Sequence, residues 1–146
     1  MKNIKFLILA VIVTFIASLT ACVKDNVSTP VEKYTRAAER GDTDAMYILA
    51  LLYEEGRGGT LKNENTAREW YKKSAEKGNV WSMNQIGVMY RFGKLGLEKD
   101  DKKAVEWYRK AADKGFSLAM VNIGSMYYNG QGGLEKDEKK SSRMVP

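Results

Sequence analysis

Small and apolar residues return along this chain in one fixed order, as Ala45, Met46, Leu49, Ala50 and Tyr53, then Ser82, Met83, Ile86, Gly87 and Tyr90, then Ala119, Met120, Ile123, Gly124 and Tyr127. Steps of three and four residues place each set on one face of a helix. A second order alternates with the first. Ala67, Trp70, Tyr71 and Ala75 return as Ala104, Trp107, Tyr108 and Ala112, so each unit contains two different helices. Gly41, Gly78 and Gly115 lie 37 residues apart, and no gap is needed to keep the copies in register. A constant period of this size marks a solenoid, in which each unit buries its apolar face against its neighbours.

The polar residues punctuate the helices. The first helix of each unit, helix A, runs from about Asp42, Asn79 and Phe116 to Gly56, Gly93 and Gly130, and helix B starts at Asn63, Asp100 and Asp137. Asn and Asp side chains accept from the free amides of a first helical turn, and glycine takes the left-handed conformation of a tight stop. Phe116 breaks the cap pattern, with Ser117 beside it as the substitute. Thr29-Pro30-Val31-Glu32 reads as a capping box with proline at the first helical position. The helix it opens matches only the second half of a unit, so it is expected to cap the array. The reading is an all-α solenoid of antiparallel helix pairs, about two and a half units long. Its repeat domain spans 30–146: a capping helix over 30–41, units over 42–78 and 79–115, and a truncated unit over 116–146. In the last unit Met144 stands where Trp70 and Trp107 stand, and half of a B helix is absent. Helix A of that unit is therefore expected to expose part of Ile123 and Tyr127, to be covered by a partner, a second copy or further residues.

The pattern A-x-x-x-LG-x-x-Y-x-x-G, followed by D-x-x-x-A-x-x-WY-x-KAA-x-x-G, resembles the Sel-one-like repeat, a relative of the tetratricopeptide repeat. The resemblance runs from Tyr34 to about Lys140. It implies a protein-binding solenoid, often a scaffold of secretory or envelope compartments, and it implies no catalytic site and no cofactor. By analogy with tetratricopeptide repeats, the A helices line the concave face. The A-helix positions that vary while the core repeats are Tyr47, Leu51 and Glu54, then Trp81, Asn84, Val88 and Arg91, then Leu118, Val121, Ser125 and Tyr128. Aromatic anchors mixed with Asn and Arg donors suit a protein or peptide segment.

Composition narrows the chemistry. The chain has no histidine, so the commonest general base and metal ligand is missing. Its single cysteine, Cys22, excludes an intramolecular disulfide and a multi-cysteine metal site. Lys2 and Lys5, an uncharged apolar run from Phe6 to Ala17, and Leu19-Thr20-Ala21-Cys22 read as a secretion signal over 1–21. That last tetrapeptide resembles the bacterial lipobox, which implies lipidation of Cys22 and a tether over 22–29. Val23 is not the aspartate of inner-membrane retention, so the expected address is the periplasmic face of the outer membrane. Without the signal the chain keeps a net charge of +4, with acids and bases interspersed, which argues for a solvated surface rather than a nucleic-acid partner.

Three strings resemble catalytic or ligand motifs. Ser74-Ala75-Glu76-Lys77 has the S-x-x-K form of penicillin-interacting enzymes, but Ser74 stands where other copies have Ala37 and Ala111, and no K-T-G or S-D-N element accompanies it. Gly93-Lys94-Leu95-Gly96 and Gly56-Arg57-Gly58-Gly59 both fall on A-to-B turns and read as helix stops. The expectation is a membrane-anchored interaction module and not an enzyme. A periplasmic immunity protein that neutralises a toxin is the alternative, and a β-lactam or cell-wall hydrolase is a more distant one.

Overall fold

The computed structural model describes residues 28–144, which form seven helices and no strand. These are α1 (Pro30–Glu39), α2 (Thr43–Glu55), α3 (Glu64–Glu76), α4 (Val80–Phe92), α5 (Asp101–Ala112), α6 (Ser117–Asn129) and α7 (Glu138–Met144). Each helix packs on the next in sequence. α2, α4 and α6 are the A helices and α3, α5 and α7 the B helices, while α1 covers the open side of α2. The signal segment, Cys22 and the last two residues lie outside the described residues.

The expected punctuation forms as hydrogen bonds. Thr29 and Glu32 complete a reciprocal capping box. The side chains of Asp42, Asn63, Asn79 and Asp100 accept from the first turns of α2 to α5, and Asp137 does the same for α7. α6 departs from the expectation: Phe116 occupies the cap position with no side-chain bond, and Ser117 is already helical. Gly56, Gly93 and Gly130 end the A helices at φ of 68°, 62° and 63°, a conformation that costs any other residue a Cβ clash.

The core is built from the repeated positions. Tyr71 and Tyr108 are fully buried, as are Ala67, Ala104, Leu49 and Ile123. Gly87 explains how closely the helices pack: a Cβ there would lie 2.6 Å from the Tyr108 ring. Gly124 plays the same part against α7, where an added Cβ would meet the Ser141 carbonyl at 3.1 Å. This close approach corrects the expectation for the end of the array. Ile123 is 0% exposed, because the short α7 lies directly on the glycine. Tyr127 is half-buried, with the Lys140 ammonium 5.5 Å from its ring centroid.

Candidate interaction face

Ser74 belongs to the packing. It is fully buried, donates to the Thr43 carbonyl at 2.7 Å and accepts from the Ser82 hydroxyl at 2.7 Å. Both serines replace alanines of the other copies, so they form a buried polar pair where other units have two methyl groups.

The variable A-helix positions form one face, and side chains tie its helices together. Asn79 donates to Asp44 at 2.7 Å, Asn122 to Asn84 at 2.9 Å and Arg91 to Ser125 at 3.2 Å, each bond joining one unit to the next. Along one side of the face runs an aromatic ladder through all three units. The ring centroids of Tyr47 and Trp81 are 6.3 Å apart, and those of Trp81 and Phe116 are 4.6 Å apart, edge to face. Such pairs add about 0.5–1.5 kcal/mol to the burial of the rings. Trp81 nevertheless keeps 50% of its surface exposed, and Leu118, Val121 and Tyr128 of α6 are exposed as well. Leu51 and Val88 are half-buried and form the floor.

Asn84 differs from its expected role as an open donor. It is 5% exposed and its side-chain oxygen is held by Asn122, so it serves to join α4 to α6. Asn122 and Phe116 were not among the expected residues. Phe116 had left a trace as the one cap position without a capping side chain, whereas nothing in the pattern distinguished Asn122.

Behind the face, the two core tyrosines meet opposite charges. The Tyr71 hydroxyl donates to Glu54 at 2.6 Å, and burial together with that carboxylate raises its pKa far beyond the ordinary tyrosine range. Tyr108, one repeat later, faces Arg91 instead. Burial pushes its pKa up to about 12 while the guanidinium opposes the rise, and the hydroxyl has no hydrogen-bond partner of good geometry. Tyr47 is raised as well, by burial and then by Glu54.

A second concavity, of about 360 Å³, opens between α3 and α5 above Ile86, Met89 and Trp107. Arg68, which occupies the repeat position of Val31 and Val105, lines it, and its guanidinium donates to the Leu95 carbonyl and to Asn65. Among the described residues, no cluster of acidic or cysteine side chains is arranged to hold a metal ion, and no helix is long and apolar enough to cross a membrane.

Paired helices in fixed register, with a repeated core and a variable face, define a helical-repeat interaction protein. The chain belongs to the Sel1 repeat family, whose profile matches residues 43–79, 82–116 and 117–141. Proteins of this family are generally protein-interaction modules. Over 78% of its length the chain is similar to a protective antigen present in uropathogenic Escherichia coli strains displaying an SLR fold, with 40% identity and a TM-score of 0.70. It spans only 24% of that protein's length. A Sel1 repeat protein from Oxalobacter formigenes matches 77% of the chain and is itself covered over 83%, at 30% identity and a TM-score of 0.70. The cysteine-rich protein B of Helicobacter pylori shares the fold, at 21% identity and a TM-score of 0.58, over 78% of this chain and 79% of its own. No curated protein matches the chain significantly.

Proposed function

We propose that this protein is a membrane-anchored interaction module of the bacterial envelope, which binds a protein or peptide segment across its A helices. The observation that carries the reading is Trp81. It packs against Tyr47 on one side and Phe116 on the other, yet half of its surface still faces solvent. Tryptophan is enriched among binding hot spots, and one already packed by its neighbours has less entropy to lose when a partner covers it. Arg91, Val121 and Tyr128 extend the contact into the later units, and Tyr47 and Leu51 into the first.

Anchoring rests on Cys22 and its lipobox-like context, and the proposed location is the periplasmic face of the outer membrane. The description of a 40% identical relative as a protective antigen agrees with an envelope role. Two experiments separate the parts of the reading. Site-specific photo-crosslinking from position 81 in intact cells should yield one dominant protein adduct. In the purified pair, Trp81→Ala should then weaken binding by about 2 kcal/mol, roughly 30-fold. Unchanged affinity in both Trp81→Ala and Arg91→Glu would remove this face from the function. Cys22→Ala should move the protein from the membrane to the soluble fraction, and continued membrane fractionation would contradict the anchor.

A further inference from the structure

The second core tyrosine lacks what the first one has. Tyr71 and Tyr108 stand 37 residues apart, as do Glu54 and Arg91, so two successive units set the same phenol against opposite charges. In the first unit the pair is complete, with the Tyr71 hydroxyl donating to the Glu54 carboxylate at 2.6 Å. In the second it is not. Arg91 offers only protons, and the Tyr108 hydroxyl keeps one that no group of the described residues accepts. Tyr108 is 0% exposed, and a buried donor without an acceptor is rare enough in a folded interior to need an account.

Arg91 is incomplete as well. Its side chain makes one hydrogen bond among the described residues, to the Ser125 hydroxyl at 3.2 Å, and it belongs to no ion pair there. It is half-buried on the A-helix face, close enough to the Tyr108 hydroxyl for its charge to oppose the rise in that group's pKa. Asp101, whose charge also reaches Tyr108, is paired with Lys99 at 3.7 Å and lies beyond hydrogen-bond reach of the hydroxyl. A single long bond to Ser125 leaves the guanidinium free to turn towards an arriving anion. A carboxylate that met it there would take the part that Glu54 plays one unit earlier, with the guanidinium and the phenol both donating to it. Charge-assisted bonds of this kind are roughly twice as strong as neutral ones.

We infer that Arg91 and Tyr108 form a carboxylate subsite within the A-helix face, and that the segment bound there presents an aspartate or glutamate side chain to it. The inference rests on the reading of that face as a polypeptide-binding surface, and it names the chemistry required at its centre. Position decides between a side chain and a chain terminus. Arg91 belongs to the middle A helix, with Tyr47 of α2 packed against Trp81 on one side and Ser125 of α6 bonded to Arg91 on the other. A segment that covers both neighbours passes through this point and does not end at it. The carboxylate is therefore a side chain's.

The test uses the full chain in mild detergent, isotope-labelled at arginine and tyrosine, and follows the Arg91 guanidinium and Tyr108 ring signals by nuclear magnetic resonance. Three probes are titrated at equal ionic strength: N-acetylglutamate N-methylamide, its uncharged glutamine counterpart, and N-acetylglycine. The glutamate probe should move both signals to saturation in the millimolar range, and the glutamine probe should move neither. Arg91→Gln and Tyr108→Phe should each weaken binding by about tenfold, the loss of one hydrogen bond to a charged group. Arg91→Glu, which supplies the acid internally as the first unit does, should abolish binding and raise the urea midpoint of unfolding. Circular dichroism confirms the fold of every variant. Absence of a saturable shift, which would leave the hydroxyl to a water molecule, equal shifts with the glutamine probe, or undiminished binding in Arg91→Gln would each overturn the inference. Tighter binding of N-acetylglycine would overturn the assignment to a side chain. The crosslink from position 81 does not depend on this subsite, so a crosslinked partner without probe binding would sink the inference and leave the wider reading standing.

Discussion

Replacing Gly87 by alanine tests how the units are held together, because two effects of known size oppose each other there. An alanine inside a helix is favoured over glycine by about 0.8–1.0 kcal/mol. Against this, the new methyl group would stand 2.6 Å from two carbons of the Tyr108 ring, a separation that carbon atoms do not sustain. The ring cannot swing aside, since Tyr108 is 0% exposed. α4 and α5 must separate instead, and overpacking of this kind costs about 1–3 kcal/mol. Two ring carbons at 2.6 Å put the cost in the upper part of that range, so the net expectation is a loss of about 1–2 kcal/mol, seen in urea unfolding as a lower midpoint with an unchanged slope. Gly124→Ala provides the contrast: its neighbours, the Ser141 carbonyl at 3.1 Å and Met144 at 3.4 Å, lie on a short terminal helix that can shift. That variant should be neutral or slightly stabilised. If Gly87→Ala is as stable as the parent, close approach at Gly87 is not what sets the packing of the second unit. The argument from the missing side chain then fails.

Three further outcomes follow from the buried polar groups. Ser74→Ala removes the side-chain bond to the Thr43 carbonyl and leaves the buried Ser82 hydroxyl without its acceptor, so it should cost about 1–3 kcal/mol in urea unfolding. The double change to alanine at Ser74 and Ser82 restores the pair of methyl groups found in the other units, and it should cost less than the sum of the single changes. In alkali, the raised pKa of Tyr108 means that the folded state holds its proton after the unfolded chain has released it at about 10.0. Its contribution to stability is therefore whole below pH 10 and is lost as pH rises towards 12, while Tyr108→Phe should flatten that part of the stability profile.

Much of this architecture was legible because a repeat compares a sequence with itself. Ala50, Gly87 and Gly124 stand in one register, and a position that admits only small residues reports contact without any coordinate. Capping was legible for a local reason, since Asn63 or Asp100 bonds an amide within its own first turn. Depth was not legible. Asn84 varies among the copies and so reads as surface, but its burial depends on Asn122, 38 residues away on the next A helix. The same holds at the end of the array, where counting residues left α6 half-covered while Gly124 let a seven-residue helix seat on it.

Tyr71 and Tyr108 have one further consequence. A phenol is amphoteric as a hydrogen-bonding group: Tyr71 offers its proton to Glu54, and the same group one repeat later tolerates the guanidinium of Arg91. The core therefore does not dictate the sign of charge at that point of the outer wall. An acid stands over one tyrosine and a base over the next, the first paired with its hydroxyl and the second leaving its hydroxyl unpaired, so the array carries either sign of charge over the same core position.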